Sequence, residues 1–205
     1  VFSVEYWRSV SPYFAVHVLG QDEKMIGNIF LVFMGVGVLS MPFWSAMARR
    51  YGKQRALVGA VLLYALASFG LLAVQPGGNM LWLYGPLALM GIAFGAQQML
   101  PFAMLTDVIN VDAATTGVRR EGLLSGLWVA SEKAGLALGP LVAGLTLDLT
   151  GFVESEGGHV AQSASALAGI RFAYIVLPAI GMLLSLLLLR HYRSEGEQAA
   201  GASGA

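Results

Sequence analysis

Six apolar stretches, each close to the length of a bilayer crossing, leave this 205-residue chain few folds to adopt. They run over about 1–19, 25–47, 56–74, 80–105, 123–149 and 168–189. A hydrocarbon core about 30 Å thick takes roughly 20 helical residues to cross, and with no water inside it every backbone N–H and C=O must be satisfied within the segment. The expected fold is an all-α membrane protein with six transmembrane helices. Composition agrees, with 57% apolar and 12% charged residues, where an average soluble domain carries about 25% charged. The first stretch is the weakest, since it holds Glu5 and Arg8, although at i and i+3 these two can neutralise each other. Residues 1–193 are expected to form the bundle, and the small polar run 194–205 a disordered tail.

Charge sets orientation and excludes partners. Twelve acidic and twelve basic residues cancel, so nothing recruits a nucleic acid. The cations are unevenly placed. Arg49, Arg50, Lys53, Arg55, Arg119, Arg120, Arg190 and Arg193 fall in alternate connections, while the opposite set holds only Lys24 and Arg171 beside Asp22, Glu23, Glu154 and Glu156. Positive loops stay in the cytoplasm, so both ends of the chain are expected there, in a cell membrane of the bacterial inner-membrane kind. The chain has no cysteine, which removes disulfides and thiolate chemistry. It opens VFSVEYW, with no initiator Met and no signal-peptide pattern, and is expected to be cut from a longer protein.

The fifth stretch poses the functional question. In SGLWVASEKAGLALGP, Glu132 and Lys133 interrupt an apolar helix about 15 to 17 Å from its start, near the bilayer midplane. An ionisable group there costs on the order of 2.5 to 3.5 kcal/mol on insertion scales, so it marks a site facing a cavity or a partner. The plainer reading is an ion pair between helices. Neighbours on a helix project about 100° apart, so the two do not pair with each other. Gly91 with Gly95, Gly122 with Gly126 and Gly135 with Gly139 have the four-residue spacing that lets helices approach closely in lipid.

Other polar positions carry weaker signals. Asp107, Asp112, Arg119, Arg120 and Glu121 lie in the connection after the fourth stretch, as a salt-bridged gate or a solvated loop. Metal binding is disfavoured, because no His is near and a cation site wants more oxygens. Tyr13 can stack on a sugar ring or simply pack. His17, His159 and His191 are too scattered for a relay or a metal.

Two motifs add a resemblance. PFWSAMARRYGKQR, with Gly52 placed to take a positive φ, resembles the short loop between the second and third helices of each half of major facilitator superfamily transporters, with Arg49 and Ser45 replacing its usual acid and glycine. FAMLTDVINVDAATTGVRREGLLSGLWVASEKAGLALGP is similar to the later half of the glycoside-pentoside-hexuronide:cation symporters, the melibiose-permease-like branch. The resemblance covers nearly the whole chain and implies spans seven to twelve of a twelve-helix protein. It departs from that branch at Asn110, Val111 and His17.

The implied fold is one six-helix half of a major facilitator fold. The implied function is cation-coupled symport of a sugar or glycoside by alternating access, not an enzyme activity. The resemblance puts Lys133 at the interface of the two halves near the substrate, with Trp128 and Gln98 on the cavity and Asp107 closing the tenth span, and Tyr13, as an aromatic able to stack, is expected to line the same cavity. No cofactor is expected. The coupling cation, Na⁺ or H⁺, would bind carboxylates of the missing N-terminal half, which is also the expected partner along with the lipid bilayer. A lysophospholipid or other amphiphile carrier would need an apolar side opening, and a noncatalytic membrane scaffold would need no midplane charge.

Overall fold

The computed structural model of the chain describes residues 23–73, 81–152 and 163–189. These form α1 (Glu23–Tyr51), α2 (Lys53–Gly70) with a 3-10 turn Leu71–Ala73, α3 (Leu81–Thr116), α4 (Glu121–Leu149), α5 (Ala164–Arg171) and α6 (Leu177–Leu189). A π-helical turn, Phe172–Val176, joins α5 to α6 without a break, giving five helical passages. No strand occurs among the described residues. The expected first span with Tyr13, Glu5, Arg8 and His17 lies outside them, as do His159, His191 and the tail 194–205.

Local chemistry explains where each helix turns or widens. Gly52 alone separates α1 from α2, at φ 91°, a left-handed conformation that a side chain at this position would strain. The π turn falls just ahead of Pro178. Proline has no N–H to donate and its ring crowds the carbonyl four residues back, so the ladder widens and the Leu177 N–H reaches the Phe172 carbonyl instead.

The connection expected after residue 105 needs correction, because α3 continues to Thr116. No Gly or Pro interrupts residues 102–116. Thr106, Thr115 and Thr116 each donate a hydroxyl to the carbonyl four residues back, so polar side chains ride on an unbroken helix. The true connection is only residues 117–120.

The packing centres on α3, which lies against both α1 and α2. α1 and α3 touch backbone to backbone. A Cβ added at Gly91 would stand 2.6 Å from the Phe33 carbonyl oxygen, and one at Gly95 would collide with the Gly37 carbonyl and Ser40 Oγ. The Gly91–Gly95 pair thus does what its spacing promised, and van der Waals packing at such close range replaces the hydrophobic drive that lipid does not supply. The two helices are locked together by the Ile92 carbonyl, which accepts from Trp44 Nε1 at 2.7 Å and lies 3.1 Å from Ser40 Oγ, whose single proton it shares with the Gly37 carbonyl at 2.7 Å. Gly122 and Gly126 have only open space where a Cβ would go.

α4 is attached differently. Its buried residues, Gly139, Ala143 and Leu147, all lie in its second half, and Thr150 beyond it presses on Gly169 of α5. Large apolar side chains stay uncovered around the bundle, with Leu39 81%, Leu66 72% and Leu149 85% exposed. A water-soluble domain would not show so much. Gly27–Tyr51, Trp82–Thr116 and Ser165–Leu187 are each long and apolar enough to cross a membrane. Successive passages run in opposite directions, so the α1–α2 turn, the α3–α4 connection and the end of α6 share one end of the bundle. That basic end holds Arg49, Arg50, Lys53, Arg55, Arg119 and Arg120.

Candidate functional site

At the basic end, the first turn of α2 is tied to both of its neighbours. Lys53 Nζ lies 2.5 Å from each carboxylate oxygen of Asp107 and 3.4 Å from the Ala103 carbonyl, joining α2 to α3. The Asp107 side chain is only 13% exposed, so water screens this pair less than it would a surface pair. One residue on, Gln54 Nε2 donates to the Leu189 carbonyl at 2.8 Å and ties α2 to the end of α6. By sequence Lys53 stands out only as a topology cation. A signal was present, since residues 25–106 contain no acid and Asp107 is the first one after that turn.

The other residues of the expected gate do not converge on Asp107. Arg119 Nε donates to Glu121 Oε1 at 2.8 Å, a local pair between exposed side chains. Arg120 is exposed at the start of α4. Asp112 is half-buried, with Oδ2 shielded from water and unpartnered among the described residues.

Along α4, half-buried or buried positions recur at 124, 128, 132, 135, 136, 139, 142 and 143, which defines an inward stripe. Trp128 is on that stripe. Its ring meets Phe102 edge-on, with centroids 5.7 Å apart, and its Nε1 is buried with no partner among the described residues. It borders a cavity of about 260 Å³ with Leu57, Pro101, Met104, Val108 and Leu189. Glu132, one turn further, is half-buried, whereas Lys133 is exposed on the opposite flank. Neither has an ion pair or hydrogen bond among the described residues. Gln98 is exposed, one turn before Phe102 on α3, while its neighbour Gln97 has a buried Nε2 with no partner among the described residues. The structure therefore turns Trp128 inward against Phe102, one turn from Gln98, and leaves Lys133 exposed. Tyr13 lies outside the described residues. No three His, Asp or Glu side chains among the described residues gather as a metal-holding group.

Apolar helices long enough to cross a bilayer, packed through glycine contacts and leaving large apolar side chains uncovered, are the build of a multi-pass membrane protein. The family model for MFS/sugar transport proteins matches residues 2–195, and the chain belongs to that family, whose members are transporters and not enzymes. It is 34% identical to an uncharacterized symporter of Synechocystis, over 93% of this chain and 35% of the relative. It is 30% identical to an isoprimeverose transporter of Lactiplantibacillus pentosus, over 83% of this chain and 35% of the relative. A glucuronide carrier protein homolog of Escherichia coli is 28% identical, over 90% and 39%. The chain spans between 35% and 39% of the length of these curated relatives.

Proposed function

We propose that this chain is the C-terminal six-helix half of a cation-coupled symporter for a sugar or glycoside. The carrying observation is Lys133. It stands twelve residues into a 29-residue helix, about 18 Å from its start and near the helix's middle, exposed among the described residues. A fixed cation at that depth needs water or an opposite charge, and an aqueous pathway between two halves supplies both. The small side chains around it, Gly126, Ala130, Ala134 and Ala137, leave room for a second helix bundle or a ligand.

In this reading the basic end is cytoplasmic, and Lys53–Asp107 holds α2 to α3 in one state of the gate, with Asp112, Arg119, Arg120 and Glu121 around the same opening. Gln98 and Tyr13 line the substrate path with Lys133, and Trp128 backs that path from inside the bundle, against Phe102. The coupling ion, Na⁺ or H⁺, is held chiefly by carboxylates of the other half. Ligand and ion drive the cycle only so far as they bind one state more tightly than the other. The names of two relatives, an isoprimeverose transporter and a glucuronide carrier homolog, support a sugar or glycoside as substrate. The test is Lys133→Ala in the full-length protein. Coupled uptake should be lost with membrane insertion intact, and normal cation-driven uptake by that variant would refute the reading.

A further inference from the structure

We infer that the groove between the basic ends of α1 and α2 is a binding site for one anionic phospholipid. It is an open cavity of about 380 Å³, walled by Phe43, Met47 and Tyr51 of α1 and by Arg55 and Gly59 of α2, with Trp44 beneath. Its chemistry is divided. The floor and walls are aromatic and apolar, and the mouth carries cations. Arg55 lines the groove, and the Arg50 guanidinium sits 5.3 Å from the centre of the Tyr51 ring.

The positive charge at this mouth meets no carboxylate among the described residues. No Asp or Glu occurs in residues 25–106, and the acid that does reach this turn, Asp107, is taken by Lys53. Arg50 and Arg55 therefore have no acidic partner among the described residues. A soluble anion would satisfy the arginines and leave Phe43, at 55% exposed, and Tyr51, at 46%, facing an unfilled groove. A neutral sugar would bring no charge, and the carboxylate of a uronide would leave the apolar walls unfilled. A phospholipid satisfies both halves, its phosphate meeting Arg55 and Arg50 while the first part of an acyl chain lies against Phe43, Met47 and the bare backbone at Gly59. Gly59 contributes because a Cβ there would meet nothing within 4 Å, which leaves the groove deep on the α2 side. Guanidinium is suited to the phosphate, since its planar fork donates to two oxygens at once. The site is separate from Lys133 and does not depend on which solute is carried.

The test uses the full-length protein in detergent, offered an equimolar mixture of phosphatidylglycerol and phosphatidylcholine and read by native mass spectrometry. The wild type should retain phosphatidylglycerol preferentially. Arg55→Gln should lower that preference about fivefold, which corresponds to about 1 kcal/mol for one cation at an anionic surface. Gly59→Leu keeps every charge, fills the groove and should displace the lipid. Arg49→Gln removes a cation of the same turn whose side chain donates to Ser45 Oγ outside the groove, and it should change nothing. Equal retention of both lipids by the wild type overturns the inference. So does a loss with Arg49→Gln as large as with Arg55→Gln, which would mean a diffuse field, or full retention by Gly59→Leu.

Discussion

Lys53 and Asp107 meet with the ammonium 2.5 Å from both carboxylate oxygens, although 54 residues separate them in the chain. The pair fastens the first turn of α2 to the polar extension of α3, beside the cavity bordered by Val108 and Trp128. If it holds one state of a gate, neutralising either partner shifts the population toward the open state. Lys53 is partly exposed, so the effect is on the order of 1 kcal/mol, about a fivefold change in ratio. In the full-length protein, Lys53→Met and Asp107→Asn should each raise the labelling rate of Val108→Cys by that factor. The exchanged pair Lys53→Asp with Asp107→Lys should bring it back toward wild type. Unchanged labelling in both single variants would remove this pair from the gate.

Close approach of α1 and α3 makes a second, structural prediction. Gly95→Leu forces a side chain into the Gly37 carbonyl and Ser40, and neither can retreat without separating the helices. Overpacking of this kind costs about 1 to 3 kcal/mol, and backbone on both sides places it toward the upper end. Gly35 lies on α1 with nothing within 4 Å of its would-be Cβ, so Gly35→Ala should be neutral. Melting temperatures of the full-length protein in detergent compare the two. Equal melting of Gly95→Leu and wild type would contradict the observed contact.

The Ile92 carbonyl offers a third. Trp44 donates to it and the single Ser40 proton is shared between it and the Gly37 carbonyl, so their contributions are coupled rather than independent. Trp44→Phe keeps most of the ring and removes the donor, and Ser40→Ala removes the other, each at about 0.6 kcal/mol by the average found for hydrogen bonds inside membranes. The double variant should differ from the sum of the two singles, because one acceptor serves both. Strict additivity in thermal melts would show that the shared carbonyl is not a joint.

How much of this was readable beforehand depends on the range of the interaction. The apolar stretches after the first, the basic turn at Gly52 and the Gly91–Gly95 contact follow from local composition and spacing, and the described helices show all three. The length of α3 did not, because Thr and Asp read as loop residues even though no Gly or Pro stops the helix before Gly117. The Lys53–Asp107 pair is a tertiary contact, visible only as an absence of nearer acids. Facing was also hidden. Trp128 and Lys133 are five residues apart, which is about 140° around a helix, and only packing shows that the tryptophan turns inward to Phe102 while the lysine turns out.

That outward lysine carries the last prediction. α4 exposes residues at 129, 130, 133, 134, 137 and 141, and this flank meets either lipid or a water-filled path beside the rest of the transporter. The two surroundings differ in what a thiol there can do, because the thiolate is the reactive form and needs water to exist. This chain contributes no cysteine of its own, so each introduced one reports alone once any others in the full-length protein are replaced. Lys133→Cys should react with a membrane-impermeant maleimide and be protected by transported substrate. Leu145→Cys, exposed three turns further along α4, should react slowly and without protection if it touches lipid. An inert Lys133→Cys, matching Leu145→Cys, would place the wild-type ammonium among acyl chains and leave the symport reading without its central charge.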